Sequence, residues 1–206
     1  NHLNLELFAL GRLQFRPSTF YIDNNWKKLS EFPLKSGENI LEVTLPFGTR
    51  TNTEWCYLLG NFGVRLIGRE KTITALPEKL GFGSIISQGL PFYGGNITYH
   101  LESEGNNLRV EATRYKGTLI SVAVDGEEKG KIVYPPYKLQ IEDLGEGNHK
   151  IDITLFGNRY NSFGPVHLTE ESCSWCGPGA WRDESQWSYE YVLRNVGINA
   201  SPIIRK

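Results

Sequence analysis

Apolar and polar residues alternate with a period of two along much of this chain. Leu41, Val43 and Leu45 are separated by Glu42 and Thr44, and Ile97, Tyr99 and Leu101 by Thr98 and His100. Leu108, Val110 and Ala112 alternate with Arg109 and Glu111, Tyr137, Leu139 and Ile141 with Lys138 and Gln140, and Ile151, Ile153 and Leu155 with Asp152 and Thr154. Ile120, Val122 and Val124 run into Asp125-Gly126, a dipeptide suited to a tight hairpin turn. A last alternation joins Trp187, Tyr189, Tyr191 and Leu193. Since a strand turns every second side chain to the same face, each segment predicts a strand with one apolar side. Such strands pair into antiparallel sheets that pack face to face. No window carries a helical stripe. The predicted fold class is all-β, a jelly-roll sandwich.

A sequence echo suggests how the chain is divided. Leu34-Lys-Ser-Gly37-Glu-Asn-Ile-Leu-Glu-Val-Thr-Leu-Pro-Phe-Gly48 resembles Leu144-Gly-Glu-Gly147-Asn-His-Lys-Ile-Asp-Ile-Thr-Leu-Phe-Gly157. Each is a Gly/Asn turn feeding an alternating strand that ends in Thr-Leu and then Phe-Gly. Convergence would also give this pattern, because such turns commonly precede strands. The shared ending favours two related β units. Residues 1–75 are read as a β unit and linker, an incomplete sandwich, and residues 76–206 as a complete one.

Composition narrows the function classes. A chain of 206 residues buries roughly 70% of its unfolded surface, enough for a core without disulfides or metals. The formal net charge is -1, with no basic block, so neither nucleic acid nor an anionic membrane is an expected partner. No apolar run approaches the length needed to span a bilayer, and the N-terminus lacks the pattern of a signal peptide. The chain starts at Asn1 and holds no Met, which reads as a piece of a longer polypeptide or a processed product. Aromatic residues make up 12% and glycines number 22, a pairing that suits short strands, tight turns and sugar-binding surfaces alike.

The densest candidate chemistry lies between residues 157 and 187, a longer connection than compact domains usually tolerate without a function. Arg159, Asn161, His167 and Arg182 supply directional hydrogen-bonding groups, and Trp175 and Trp181 supply flat apolar faces. Sugars stack their C–H faces on such rings while their hydroxyls take planar polar partners. The other reading is that the tryptophans plug the open end of the sandwich or pack on a neighbouring domain. A second cluster, Gln88-Gly-Leu-Pro-Phe-Tyr93-Gly-Gly-Asn96, offers Tyr93 at a loop edge if Gly94-Gly95 adopts positive φ, or as a residue entering the core. Tyr115 and the stretch Tyr134-Pro-Pro-Tyr137 read as edge-strand and turn residues.

Catalytic signals are weak by comparison. Glu54, Glu102, Glu111, Asp183 and Glu190 include no pair set apart for glycoside cleavage, and Glu102, Glu111 and Glu190 fall on polar strand faces. No nucleophile elbow, zinc-protease motif, phosphate loop or dinucleotide fingerprint occurs. Cys173-Ser-Trp-Cys176 has the spacing of half a zinc knuckle, but no second ligand pair follows, and Cys56 makes the count odd. Sandwich modules often carry a structural calcium, although no Asp-rich loop announces one here.

Several segments together resemble a known family. They are Gln88-Gly-Leu-Pro-Phe-Tyr-Gly-Gly-Asn-Ile-Thr-Tyr99, the Val122-Ala-Val-Asp-Gly126 hairpin, Gly157-Asn-Arg-Tyr-Asn-Ser-Phe-Gly-Pro-Val-His167, Gly177-Pro-Gly-Ala-Trp-Arg182 and Gly197-Ile-Asn-Ala-Ser-Pro202. In this order they are similar to the C-terminal galactose-binding-like sandwich of large bacterial glycoside hydrolases of the α-L-rhamnosidase-like kind. Trp55-Cys-Tyr-Leu-Leu-Gly-Asn-Phe-Gly-Val64 resembles the segment that joins the preceding β domain to that sandwich. The resemblance implies an accessory module, with carbohydrate and the catalytic domain of the same polypeptide as partners. It implies catalytic carboxylates on a separate (β/α) barrel, and no hydrolysis by this chain. It assigns no binding residue, since members of the fold class range from sugar binders to purely structural modules.

Overall fold

The computed structural model describes residues 4–10, 20–21, 23–33, 35–40, 42, 48, 56–170, 181 and 185–206. Leu41, Val43 and Leu45 of the first alternating segment, Trp175, Arg182, Cys173 and Cys176 lie outside them. The chain divides into two compact units, Asn1–Gly63 and Val64–Lys206, ahead of the 75/76 boundary read from the sequence. In the first, β1 (Asn4–Leu10) pairs with β3 (Asp23–Pro33) and with β4 (Cys56–Leu59). The short β2 (Phe20–Tyr21) adds to β3, and all of these pairings are antiparallel.

The second unit begins with a hairpin, β5 (Gly63–Ile67) and β6 (Glu70–Thr74), turned through Gly68 at φ +55°. Val64 donates its N–H to the carbonyl of Gly89 at 2.8 Å, which ties β5 to the loop ahead of the sandwich. Seven further strands make the two main sheets of this unit among the described residues. They are β7 (Ile97–Glu104), β8 (Leu108–Glu111), β10 (Leu119–Val124), β11 (Glu127–Ile132), β12 (Lys138–Ile141), β13 (Asn148–Phe156) and β15 (Ile203–Arg205). One sheet has the order β11-β10-β13-β7 and the other β12-β8-β15. The chain crosses from β7 to β8, returns for the β10–β11 hairpin, crosses to β12 and comes back as β13. That path is a jelly roll. A small sheet of β9 (Tyr115–Lys116) and β14 (Gly197–Ile198) lies beside them.

Burial follows the alternation read from the sequence. Ile97, Tyr99, Leu108, Val110, Ile120, Val122, Val124, Ile141, Ile151, Ile153 and Leu155 share one buried cluster drawn from both sheets. Each such side chain withdrawn from water contributes about 1.5–3 kcal/mol, so this set drives the sandwich together. On the outer face of β13 and β7, residues directly opposite each other pair through their side chains. Thr98 and Thr154 share a 2.9 Å hydrogen bond, and His100 Nδ1 meets Asp152 Oδ1 at 2.7 Å.

The Asp125-Gly126 turn forms as its sequence predicts, with φ of 51° and 88°. Both positive values are what a two-residue hairpin loop requires. Next to it, the register between β10 and β11 slips: Val122 faces Gly130 and Ala123 faces Glu128, leaving Lys129 as an extra residue in a bulge. His149, 7% exposed, meets Asp125 Oδ2 through Nδ1 at 2.6 Å and the Gly145 carbonyl through Nε2 at 3.1 Å. Two acceptors facing both ring nitrogens favour the doubly protonated, charged imidazole. The Asp125 hydrogen bond, then that of Gly145, accordingly raises the His149 pKa above its ordinary 6.5. Asp125 moves the opposite way, below 3.8, chiefly through its hydrogen bond with His149.

Residues 187–193 correct the sequence reading. They do not form a strand: Trp187 makes an isolated bridge with Leu168, and the residues after it bend and run without a ladder. Their backbone bonds are spaced irregularly, with Ser188 donating to the His167 carbonyl, Val192 to that of Val166 and Arg194 to the side chain of Asn161. The apolar alternation here serves ring packing instead of a sheet.

Candidate functional site

Three stretches distant in sequence converge in the second unit: the 88–96 loop, residues 157–168 and residues 185–194. Gly157 starts the convergence. A Cβ there would strike the carbonyl of Gly95 and come within 2.9 Å of that of Gly94. One on Gly94 would meet Ser162 Oγ at 2.8 Å and the Asn158 carbonyl at 2.9 Å. Gly94 is thus required by its close approach to the 158–162 stretch, while a Cβ on Gly95 would run into the Tyr93 ring; the positive φ expected at this pair falls instead at Gly89, φ +90°. Ser162 completes the clamp by donating to the Phe92 carbonyl at 2.7 Å.

From this clamp the chain makes one helical turn, α1 (Tyr160–Phe163), which aims Asn161 inward. Asn161 is 2% exposed. Its amide donates to the Arg194 carbonyl at 2.7 Å and its Oδ1 accepts from the Arg194 N–H at 2.9 Å. The side chain stands in for a strand neighbour and fixes the returning segment. His167 holds that segment a second time, its ring lying between Trp187 at 4.6 Å and Tyr191 at 4.5 Å, with Nδ1 bonded to the Ser188 carbonyl at 2.8 Å. Burial among these rings lowers the His167 pKa below 6.5, with Lys71 adding to it and backbone hydrogen bonds to Ser188 and Glu190 opposing it. A neutral ring that donates Nδ1–H to the carbonyl follows. Phe92 meets Tyr191 edge-on at 4.7 Å, so the 88–96 loop joins the same packing.

The candidate residues read from the sequence therefore separate. Asn161 and His167 come together, but both are engaged in holding the frame. Trp181 is 9% exposed, which fits the plug described above and not an open stacking surface. Tyr93 is 42% exposed, with its hydroxyl donated back to the Asn96 carbonyl at 3.0 Å. Arg159 is exposed at the start of α1. Tyr115 and Tyr137 pack edge-on at 5.9 Å, as turn and edge residues.

Sequence reasoning missed what lies on the outside of this frame. Arg69, in the β5–β6 turn, places its guanidinium over the Tyr189 ring at 4.6 Å, and Lys71 on β6 places its ammonium over Tyr191 at 5.1 Å. Farther along the segment, the Arg194 guanidinium lies 3.6 Å above the Tyr160 ring. Tyr189 is 65% exposed. A usable signal was present, namely cations two apart at 69 and 71 and tyrosines two apart at 189 and 191. Their partnership is visible only once β6 and the 185–194 segment lie together.

No family model matches the chain, and no curated protein does. Among solved structures, the chain is similar to a GH2 beta-galacturonidase from Eisenbergiella tayi bound to glycerol, with 22% identity over 70% of this chain and a TM-score of 0.38. A structure of GH2 beta-galacturonidase from the same organism bound to galacturonate gives 21% identity over 70% of this chain and a TM-score of 0.37. The chain spans 22% of the length of each.

Proposed function

We propose that this chain is a non-catalytic β-sandwich module of a larger glycoside hydrolase, supporting a separate catalytic barrel and holding carbohydrate weakly. The observation that carries the reading is the convergence of its family-like segments. The 88–99 and 157–167 stretches meet at Gly94, Gly95 and Gly157, and Gly197 lies so close to Gly83 that a Cβ on it would strike the Gly83 carbonyl. These segments build a frame, and the frame presents aromatic and cationic side chains on its outside. The proposed sugar contacts are Tyr189, Tyr93 and Arg159 on that side, with Trp175 and Arg182 from the sequence reading. Tyr189 and Tyr93 offer ring faces for sugar C–H groups, and Arg159 offers in-plane donors for hydroxyls. Asn161 and His167 act by holding the frame, and the buried Trp181 offers no open ring face.

Calorimetric titration of the purified chain with a panel of plant and microbial oligosaccharides tests the binding role, with Tyr189→Ala as control. Millimolar affinity that the substitution weakens supports it, and no binding across the panel refutes it. Hydrolysis of any aryl glycoside by the purified chain would overturn the non-catalytic assignment.

A further inference from the structure

We infer that the Arg69–Tyr189 and Lys71–Tyr191 row is a site for acidic sugars, with uronate carboxylates taken by the cations and sugar faces by the exposed tyrosine. The inference rests on the carbohydrate reading above and narrows it to one ligand class. Three observations carry it.

The first is orientation. A guanidinium packed on an aromatic face keeps its N–H groups in its own plane, pointing away from the ring. They stay available as a fork for a carboxylate while the tyrosine limits the conformations the long side chain samples. The Arg69 guanidinium carbon lies 4.6 Å from the centre of the Tyr189 ring, so the ring restrains the long side chain in this way. Arg194, at 3.6 Å from the centre of Tyr160, is close enough that its plane must lie nearly flat on the ring. The second is charge. Among the described residues, neither Arg69 nor Lys71 has a carboxylate within ion-pair distance, although seven other pairings of that kind form elsewhere. The acidic neighbours in sequence, Glu70 and Glu190, are both exposed, and Glu190 approaches Gly68 without pairing with either cation.

The third is spacing. Arg69 lies in the β5–β6 turn and Lys71 follows two residues on in β6, and their ring partners Tyr189 and Tyr191 are likewise two residues apart. The cations and the rings thus follow one another in matched order, so both cations can serve one acidic chain with Tyr189 beside it. The chain as a whole has a formal net charge of -1 and no basic run, which argues against a nucleic acid as the polyanion.

The test compares oligogalacturonate and oligomannuronate hexasaccharides with their carboxyl-reduced, neutral counterparts, using NMR titration of the full chain. Acidic hexasaccharides are expected to bind about tenfold more tightly than the reduced ones. An exposed ion pair corresponds to about fivefold in affinity, so Arg69→Gln with Lys71→Gln should remove most of that preference. Tyr189→Ala should weaken acidic and neutral ligands together, and added salt should weaken only the acidic ones. Equal affinity for acidic and reduced hexasaccharides would overturn the inference and leave the carbohydrate reading standing. Binding of neither would overturn both. Polyglutamate or single-stranded DNA bound as tightly as the uronates would refute a sugar as the occupant.

Discussion

Replacing Asn161 with alanine should uncouple the 185–194 segment from the rest of the second unit. Asn161 makes two hydrogen bonds to the backbone of Arg194, at 2.7 and 2.9 Å, from a site that is 2% exposed. Each such bond contributes about 1 kcal/mol net, and removing one partner also leaves the other to find water. Because Arg194 is itself exposed, its backbone can recover part of that hydration. The expected loss is therefore about 2–3 kcal/mol, a large share of the roughly 5–15 kcal/mol that holds a domain together. For a unit of this size it corresponds to a fall in Tm of about 5–10 °C. Urea unfolding followed by near-ultraviolet circular dichroism measures it directly. Asn161→Asp is the discriminating companion. It keeps the acceptor for the Arg194 N–H but sets a carboxylate against the Arg194 carbonyl, so at neutral pH it should be no more stable than the alanine variant. A loss under about 0.5 kcal/mol for Asn161→Ala, at unchanged denaturant sensitivity, would show that the two bonds do not hold the segment.

Gly157→Ala should be at least as damaging, by about 2 kcal/mol or more, since its Cβ meets backbone carbonyls that have no side-chain freedom to yield. Thermal unfolding that matches the parent would disprove the close approach. The Asp125–His149 pair predicts a pH dependence whose sign follows from the two shifts. The raised pKa of His149 adds stability that is complete below about 6.5 and lost as pH rises through its folded value. The lowered pKa of Asp125 adds stability that is complete above about 3.8 and lost as pH falls through its folded value. The contribution is thus greatest between these limits. His149→Gln should cost more in Tm at about pH 5.5 than at about pH 9, and an equal cost at both would contradict a charged imidazole.

The sandwich was legible because its core obeys a period of two. Five of the alternating segments became β7, β8, β10, β12 and β13 with their apolar residues inward. β11 escaped notice because an edge strand made of Glu127, Glu128, Lys129, Gly130 and Lys131 has almost no apolar face to betray it. Residues 187–193 misled for the opposite reason. Trp187, Tyr189 and Tyr191 alternate because His167, Arg69 and Lys71 pack on their rings, and ring packing on an extended chain repeats like a strand. The candidate site was legible in location but not in role. Composition marked the 157–187 connection, yet only the fold shows that Asn161 and His167 face inward and that the outward surface borrows Arg69 and Lys71 from a hairpin some hundred residues earlier.

The bulge at Lys129 bears on how this protein meets copies of itself. Among the described residues β11 is the outer strand of its sheet, and an uninterrupted outer strand offers a regular row of N–H and C=O groups to any passing chain. Here the row is broken in the middle, and Lys129 is held by Glu127 at 2.7 Å beside Lys131 with Glu128 at 3.1 Å. A foreign strand arriving at that margin would find its own ladder out of step after a few residues and charged groups in its path. The same one-residue insertion that spoils the local pairing thus disfavours edge-to-edge addition of a second copy.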